Sequence, residues 1–139
     1  MIYLTQDDLN LESFERFITE STGGDSSIVD NAEKKAIAHC KTFLSRYDVE
    51  DVFDEEEPIR DEHLANIIAI ITCYKIISRN AARKVPSDAR EDYKWALEQL
   101  EKIQTGRVTL ELPPRIDSST GNAVSNAIFG NISNPDFYI

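Results

Sequence analysis

From Leu64 to Tyr74 the chain carries no charge, and only Asn66 and Thr72 interrupt the apolar residues. Set on a helix at about 100° per residue, Leu64, Ile67, Ile68, Ile71 and Tyr74 fall on one side. Ile70, Cys73 and Ile77 fall on the other, with Ala65, Ala69 and Ile76 between them. A helix apolar all round is enclosed by protein and does not lie on a surface. The run is about half the ~20 residues a bilayer span needs, so it is not read as a membrane helix. Pro58 ends what precedes it and Asp61 is suited to cap its start. The stretch Asp61 to Arg79 is therefore expected to be a central core helix around which the others pack.

At 139 residues the chain is expected to be one domain with a real core. Thr5 followed by Asp8 reads as a variant capping box. It leads into one or two short helices from Gln6 to about Thr19, with Leu9, Leu11, Phe14, Phe17 and Ile18 available for burial. Ser21 to Ser26 is a loop by composition. A half-buried helix follows from Ser27 to about Tyr47, its stripe made of Ile28, Val29, Ala32, Ala36, Cys40, Phe43, Leu44 and Tyr47. A last helix runs from Ser87 to Thr105, with Gly106 at the position after its end. The expected fold is all-α: a small helical bundle of three long helices plus a short N-terminal helical region, over residues 1–106.

Beyond Gly106, Val108, Leu110 and Leu112 alternate with polar residues. This reads as an extended arm over 107–112 without a partner strand, which invites pairing with another chain. Pro113-Pro114 opens a tail over 113–139, rich in Ser, Asn, Gly and Pro, whose end Phe137-Tyr138-Ile139 is suited to dock on a partner.

A formal net charge of −10 argues against a sequence-specific nucleic-acid grip and against an anionic membrane surface. The opening MIYLTQDDL has no secretory n-region or h-region. Cys40 and Cys73 are read as buried, reduced thiols. Asp48 to Glu62 is the most acidic stretch, and Asp54, Glu55, Glu56 and Glu57 form its densest part. It lacks calcium-loop spacing, because Val52 and Phe53 stand where an oxygen ligand and a glycine are needed. A solvated loop is the expectation, and a metal site is not. Lys75, Arg79, Arg83, Lys84, Arg90 and Lys94 make a basic side; it and the acidic loop are either two interaction surfaces or two separately solvated faces. Trp95 points away from its helix's apolar stripe; it either rests on the N-terminal segment of its own chain or anchors an interface. No phosphate loop, nucleophile elbow or metal-ligand spacing is present, and no catalytic residue or cofactor is assigned.

Three stretches together resemble a family of small virion proteins from Mu-like phages and prophages. These are Ile2-Tyr3-Leu4-Thr5 with Asp8-Leu9, Ala36 to Cys40 leading into Phe43-Leu44-Ser45-Arg46-Tyr47, and the run Arg90, Tyr93, Ala96, Leu100, Ile103, Gly106. The Ala36–Tyr47 stretch is similar to that family's small-residue helix ending in L-x-x-R-Y. The matches cover residues 2 to about 112. The family is similar to head–tail connector adaptors of long-tailed phages, helical bundles that form a ring beneath the portal. The resemblance implies a structural, non-catalytic role as a ring oligomer in the virion neck, touching portal and tail or neck proteins, after assembly in the bacterial cytoplasm. The chain departs from the family where Pro-Leu usually follows R-Y: Asp48-Val-Glu-Asp-Val-Phe53 and a longer acidic loop stand there. Nothing from Pro113 onward is matched. A small acidic regulator binding a basic host protein is the other class, and an enzyme is a third.

Overall fold

The computed structural model describes residues 1–12, 21–79 and 87–116. The expectations for Phe14, Phe17, Ile18, Arg83, Lys84, Phe137 and Tyr138, and for the tail beyond Ile116, lie outside the described residues, as does the side chain of Leu11. Five helices are described: α1 (Gln6–Glu12), α2 (Ser26–Lys41), α3 (Val49–Val52), α4 (Glu62–Ile77) and α5 (Ser87–Thr105). Three of them are long, and no regular strand occurs among the described residues. The all-α bundle is as expected.

α4 is the central helix. It packs against α1, α2 and α5. Every residue from Leu64 to Ile77 is buried except Asn66, Tyr74 and Lys75. Leu64, Ile67, Ile68, Ile71 and Ile76 are each 0% exposed. At about 1.5–3 kcal/mol per large aliphatic side chain, these five contribute on the order of 10 kcal/mol, comparable to a domain's whole net stability. The absence of charge from Leu64 to Tyr74 is what permits enclosure on all sides.

The two flanking long helices run antiparallel to α4. The first half of α2 lies beside the end of α4, where Ile28, Lys35, Lys75 and Arg79 meet. The last residue of α2, Lys41, sits with its ammonium 5.7 Å from the Phe53 ring, near the start of α4. On the other side Tyr74 stacks on Tyr93 at 4.2 Å, and His63 meets Trp95 and Gln99.

α2 is shorter than its apolar stripe suggests. It ends at Lys41, and the cap Thr42 closes it through its N–H on Cys40 and His39 carbonyls. Phe43, Leu44 and Tyr47 still face the core, but from irregular backbone after the helix. Their burial satisfies the hydrophobic pattern without helical backbone.

Two carboxylates fix the backbone of residues 2–5, and a third, Asp30, pairs with the Met1 ammonium at 2.9 Å. Thr5 and Asp8 form the reciprocal cap: Thr5 N donates to Asp8 Oδ2 at 2.8 Å and Asp8 N to Thr5 Oγ1 at 3.3 Å. Glu33 of α2 is 1% exposed, yet its side chain is fully employed. Its oxygens accept from the backbone N–H groups of Ile2 (2.6 Å), Tyr3 (3.1 Å) and Leu4 (2.7 Å). These are donors that no helix or sheet would satisfy.

The expectation of an arm over 107–112 leaving the body is corrected. Gly106, at φ 86°, turns the chain at the end of α5. Gly106 N donates to Ile103 O and Arg107 N to Lys102 O, the paired bonds of a left-handed C-cap. The chain then folds back on its own bundle. Leu110 and Leu112 are 5% and 9% exposed within the core, and Val108 packs against it. The backbone finds partners that are not a strand. Leu110 N donates to Tyr47 Oη at 2.9 Å and Glu111 N to Asp61 Oδ2 at 3.1 Å. Asp48 N donates to Pro113 O and Arg115 N to Arg46 O, around an antiparallel bridge between Tyr47 and Pro114. The early end of α2 frees Arg46–Asp48 to serve as that edge.

Candidate interaction surfaces

The acidic stretch is a structured segment leading into α4, made of α3 and the loop after it. Asp48 caps α3, accepting from Asp51 N at 3.3 Å, and repulsion from Asp48 raises the Asp51 carboxyl above its usual value. Asp54 Oδ2 accepts from Glu56 N at 3.0 Å and Glu57 N at 2.8 Å, tying the loop to itself. Its base is closed by Ile59 N on Val52 O, and Tyr3 Oη donates to Ile59 O while accepting from Asp61 N. Asp54, Glu55, Glu56 and Glu57 are all exposed. Among the described residues none of these four makes an ion pair, and no group of carboxylates, His or Cys there is arranged to hold a metal.

Arg60, which follows the loop in the chain, is already committed. It holds Asp8 through two bonds of 3.0 and 2.7 Å and Glu62 through Nε at 2.8 Å. Hydrogen bonding from Arg60, opposed by partial burial, keeps the Asp8 carboxyl below its usual range. The pair pins α1 to the entry of α4.

At the far end of α4 lies a cleft of about 430 Å³ between α2 and α4. Its cations are Lys35, Lys75 and Arg79, and Ile28 and Ala32 contribute its apolar part. Arg79 Nη1 donates to Ser21 O at 2.8 Å. None of the three cations forms an ion pair among the described residues. Ser27, whose Oγ and N–H both bond Asp25 Oδ1 as it caps α2, holds the Asp25 carboxyl below its usual value, and the charge of Arg79 acts in the same direction. Of the basic side expected from the sequence, Lys75 and Arg79 come together here. Lys35 joins them unforeseen, and Arg90 and Lys94 are exposed on α5.

A third surface surrounds Trp95, which is 38% exposed. Its ring meets His63 edge-on at 5.9 Å, and His63 Nε2 lies 3.3 Å from Gln99 Oε1. Beside this pair, an open groove of about 590 Å³ runs between the start of α4 and residues 108–111. Trp95 thus meets α4 of its own chain and keeps part of its ring in solvent.

The family described as Bacteriophage Mu, Gp36 matches residues 3–127. The chain belongs to this family. No curated protein and no solved structure matches it. The Gp36 match extends past Pro113, where resemblance by motif stopped.

The stretches that suggested the family occupy structural positions in this Gp36-family chain. Tyr3, Leu4 and Leu9 are buried, Asp8 holds Arg60, and Ala36 and Cys40 are fully buried on α2. Ala96, Leu100 and Ile103 form the buried stripe of α5. Tyr47 and Arg46 receive the C-terminal segment. Cys40 and Cys73 are both buried and not joined by a disulfide, and burial pushes the Cys40 thiol up to about 12. No helix among the described residues is long and apolar enough to cross a membrane.

Proposed function

We propose that this Gp36-family protein is a structural head–tail connector, a neck adaptor that assembles as a ring between portal and tail. Family membership supports a place among phage proteins. The observation that carries the assembly reading is the segregation of charge that makes no ion pair among the described residues: an acidic loop at one end of α4 and a basic cleft at the other. A closed cyclic ring needs two different, complementary surfaces on each subunit. The protein would work in the bacterial cytoplasm during assembly and in the virion neck afterwards. Portal and tail or neck proteins would be its other partners, and the half-exposed Trp95 is the side chain best placed to anchor one of them. An acidic regulator of a basic host protein would use the loop and leave the cleft without a role.

The test is deletion in an inducible prophage, with particles viewed by electron microscopy. Unjoined heads and tails, rescued by the wild-type chain, are expected. Trp95→Ala should fold normally and yet enter particles poorly, since truncating an interface anchor typically costs ~2 kcal/mol or more of binding. Normal particles from the deletion strain would refute the connector role.

A further inference from the structure

We propose that the Lys35–Lys75–Arg79 cleft receives the Glu55–Glu57 loop of a second copy of this chain, joining subunits head to tail. The inference rests on the assembly reading above and assigns the contact within it.

The two surfaces fit in charge and in preparation. The cleft presents three cations over the half-buried Ile28. The loop presents three successive glutamates, all exposed. Its backbone is already held by Asp54 and by the Ile59–Val52 bond, so little chain freedom remains to be lost on docking. Ile59, 37% exposed at the base of the loop, supplies an apolar neighbour for Ile28. The nearby Asp25, whose carboxyl feels the charge of Arg79, has its Oδ1 taken up in capping α2.

The fold also prevents a subunit from pairing its own loop with its own cleft. The loop precedes the first turn of α4 and the cleft lies at its last turn, and 16 helical residues span about 24 Å. Charges so far apart in one subunit are screened from each other at physiological salt, where the Debye length is about 8 Å. They can be brought together between subunits. Because the contact uses different surfaces on the two partners, it leaves one loop and one cleft open at the ends of any dimer. It therefore propagates, closing into a ring where the rotation per subunit allows.

Charge exchange in the purified full-length chain tests the pairing. One variant carries Glu55→Lys, Glu56→Lys and Glu57→Lys, with Asp54 retained to keep the loop's shape. The other carries Lys35→Glu and Arg79→Glu, or Lys35→Glu alone if the double variant melts early. Self-association is followed by sedimentation at low and high salt. Wild type should associate at low salt and dissociate as salt rises. Each variant alone should associate at least about tenfold more weakly. A mixture of the two should recover association, because each reversed surface then meets its complement, and the chain carrying both sets should self-associate. A wild-type chain that stays monomeric at low salt overturns the proposal. So does unchanged association in either variant, or failure of the mixture to recover. Particle rescue separates the two ideas. Variants that associate and rescue like wild type refute the pairing but leave the connector role standing, whereas normal particles without the gene remove the connector role itself.

Discussion

Removing the Glu33 carboxylate tests how the start of the chain is held. In Glu33→Ala the N–H groups of Ile2, Tyr3 and Leu4 lose their acceptor, and those of Tyr3 and Leu4 are buried. A hydrogen bond to a charged group is worth roughly 1.5–3 kcal/mol, so the two buried ones alone amount to about 3–6 kcal/mol. The protein has one escape, which is to release residues 1–4. Release exposes Tyr3 and Leu4, each 4% exposed in the folded state, at a similar roughly 1.5–3 kcal/mol per large side chain. Both routes converge on the same loss, a large fraction of a typical ~5–15 kcal/mol stability. Urea unfolding should show a midpoint shift of that size. Hydrogen exchange should show the Tyr3 and Leu4 amides opening well before α4. Glu33→Gln, which keeps one acceptor oxygen, should lose less. A loss below about 1 kcal/mol in Glu33→Ala, with those amides still protected, would refute the anchoring argument.

Two further expectations concern the start of α4. Leu110→Ala should destabilise the isolated monomer by about 2–5 kcal/mol, as for other buried leucines; a chain ending at Gly106 should melt earlier still, whereas a truncated chain as stable as the full one would return the segment to the status of a free arm. The Asp8–Arg60 pair should contribute on the acid side. Because the folded Asp8 carboxyl sits below its unfolded value, its contribution is present above pH ~4 and is lost as pH falls through the folded value. Asp8→Asn should therefore flatten the acid limb of stability against pH, and an unchanged limb would show that Arg60 does not hold this carboxyl in solution.

The centre of the fold is plain in the sequence because the signal there is physical and local. A run without charge can be enclosed on every side, Asp61 marks a helix cap, and Gly106 marks a turn that few other residues make well. The capping pair Thr5 and Asp8 is legible for the same reason. What is not legible depends on partners distant in the chain. Phe43, Leu44 and Tyr47 continue the stripe of α2, but burial alone does not distinguish helix from turn. Glu33 shares a face with Val29 and Ile37 at helical spacing, so a charge stands on the apolar stripe. That is the available clue, although only the structure names the amides it meets. The row Val108, Leu110, Leu112 is one-sided in sequence and in structure alike, but its partners are a phenol, a carboxylate and two irregular residues, which no strand pattern announces. Of the interaction surfaces, the acidic loop can be located from composition. The cleft cannot, because Lys35 and Lys75 meet only through the antiparallel packing of α2 on α4.

The two oxygens of Asp61 serve different parts of the chain. One caps α4 through Leu64 N at 3.0 Å, and the other holds Glu111 N, a residue 50 positions later. Contacts of such sequence separation must overcome a loop-closure entropy that neighbouring contacts avoid, so they form late in folding. The first turn of the innermost helix is therefore not finished when the helix itself forms; it is completed only when residues 110–112 arrive. Fraying at that turn and lifting of residues 110–112 become a single event, and the amides of Leu64 and Glu111, which share the Asp61 carboxylate, should exchange with the same opening free energy.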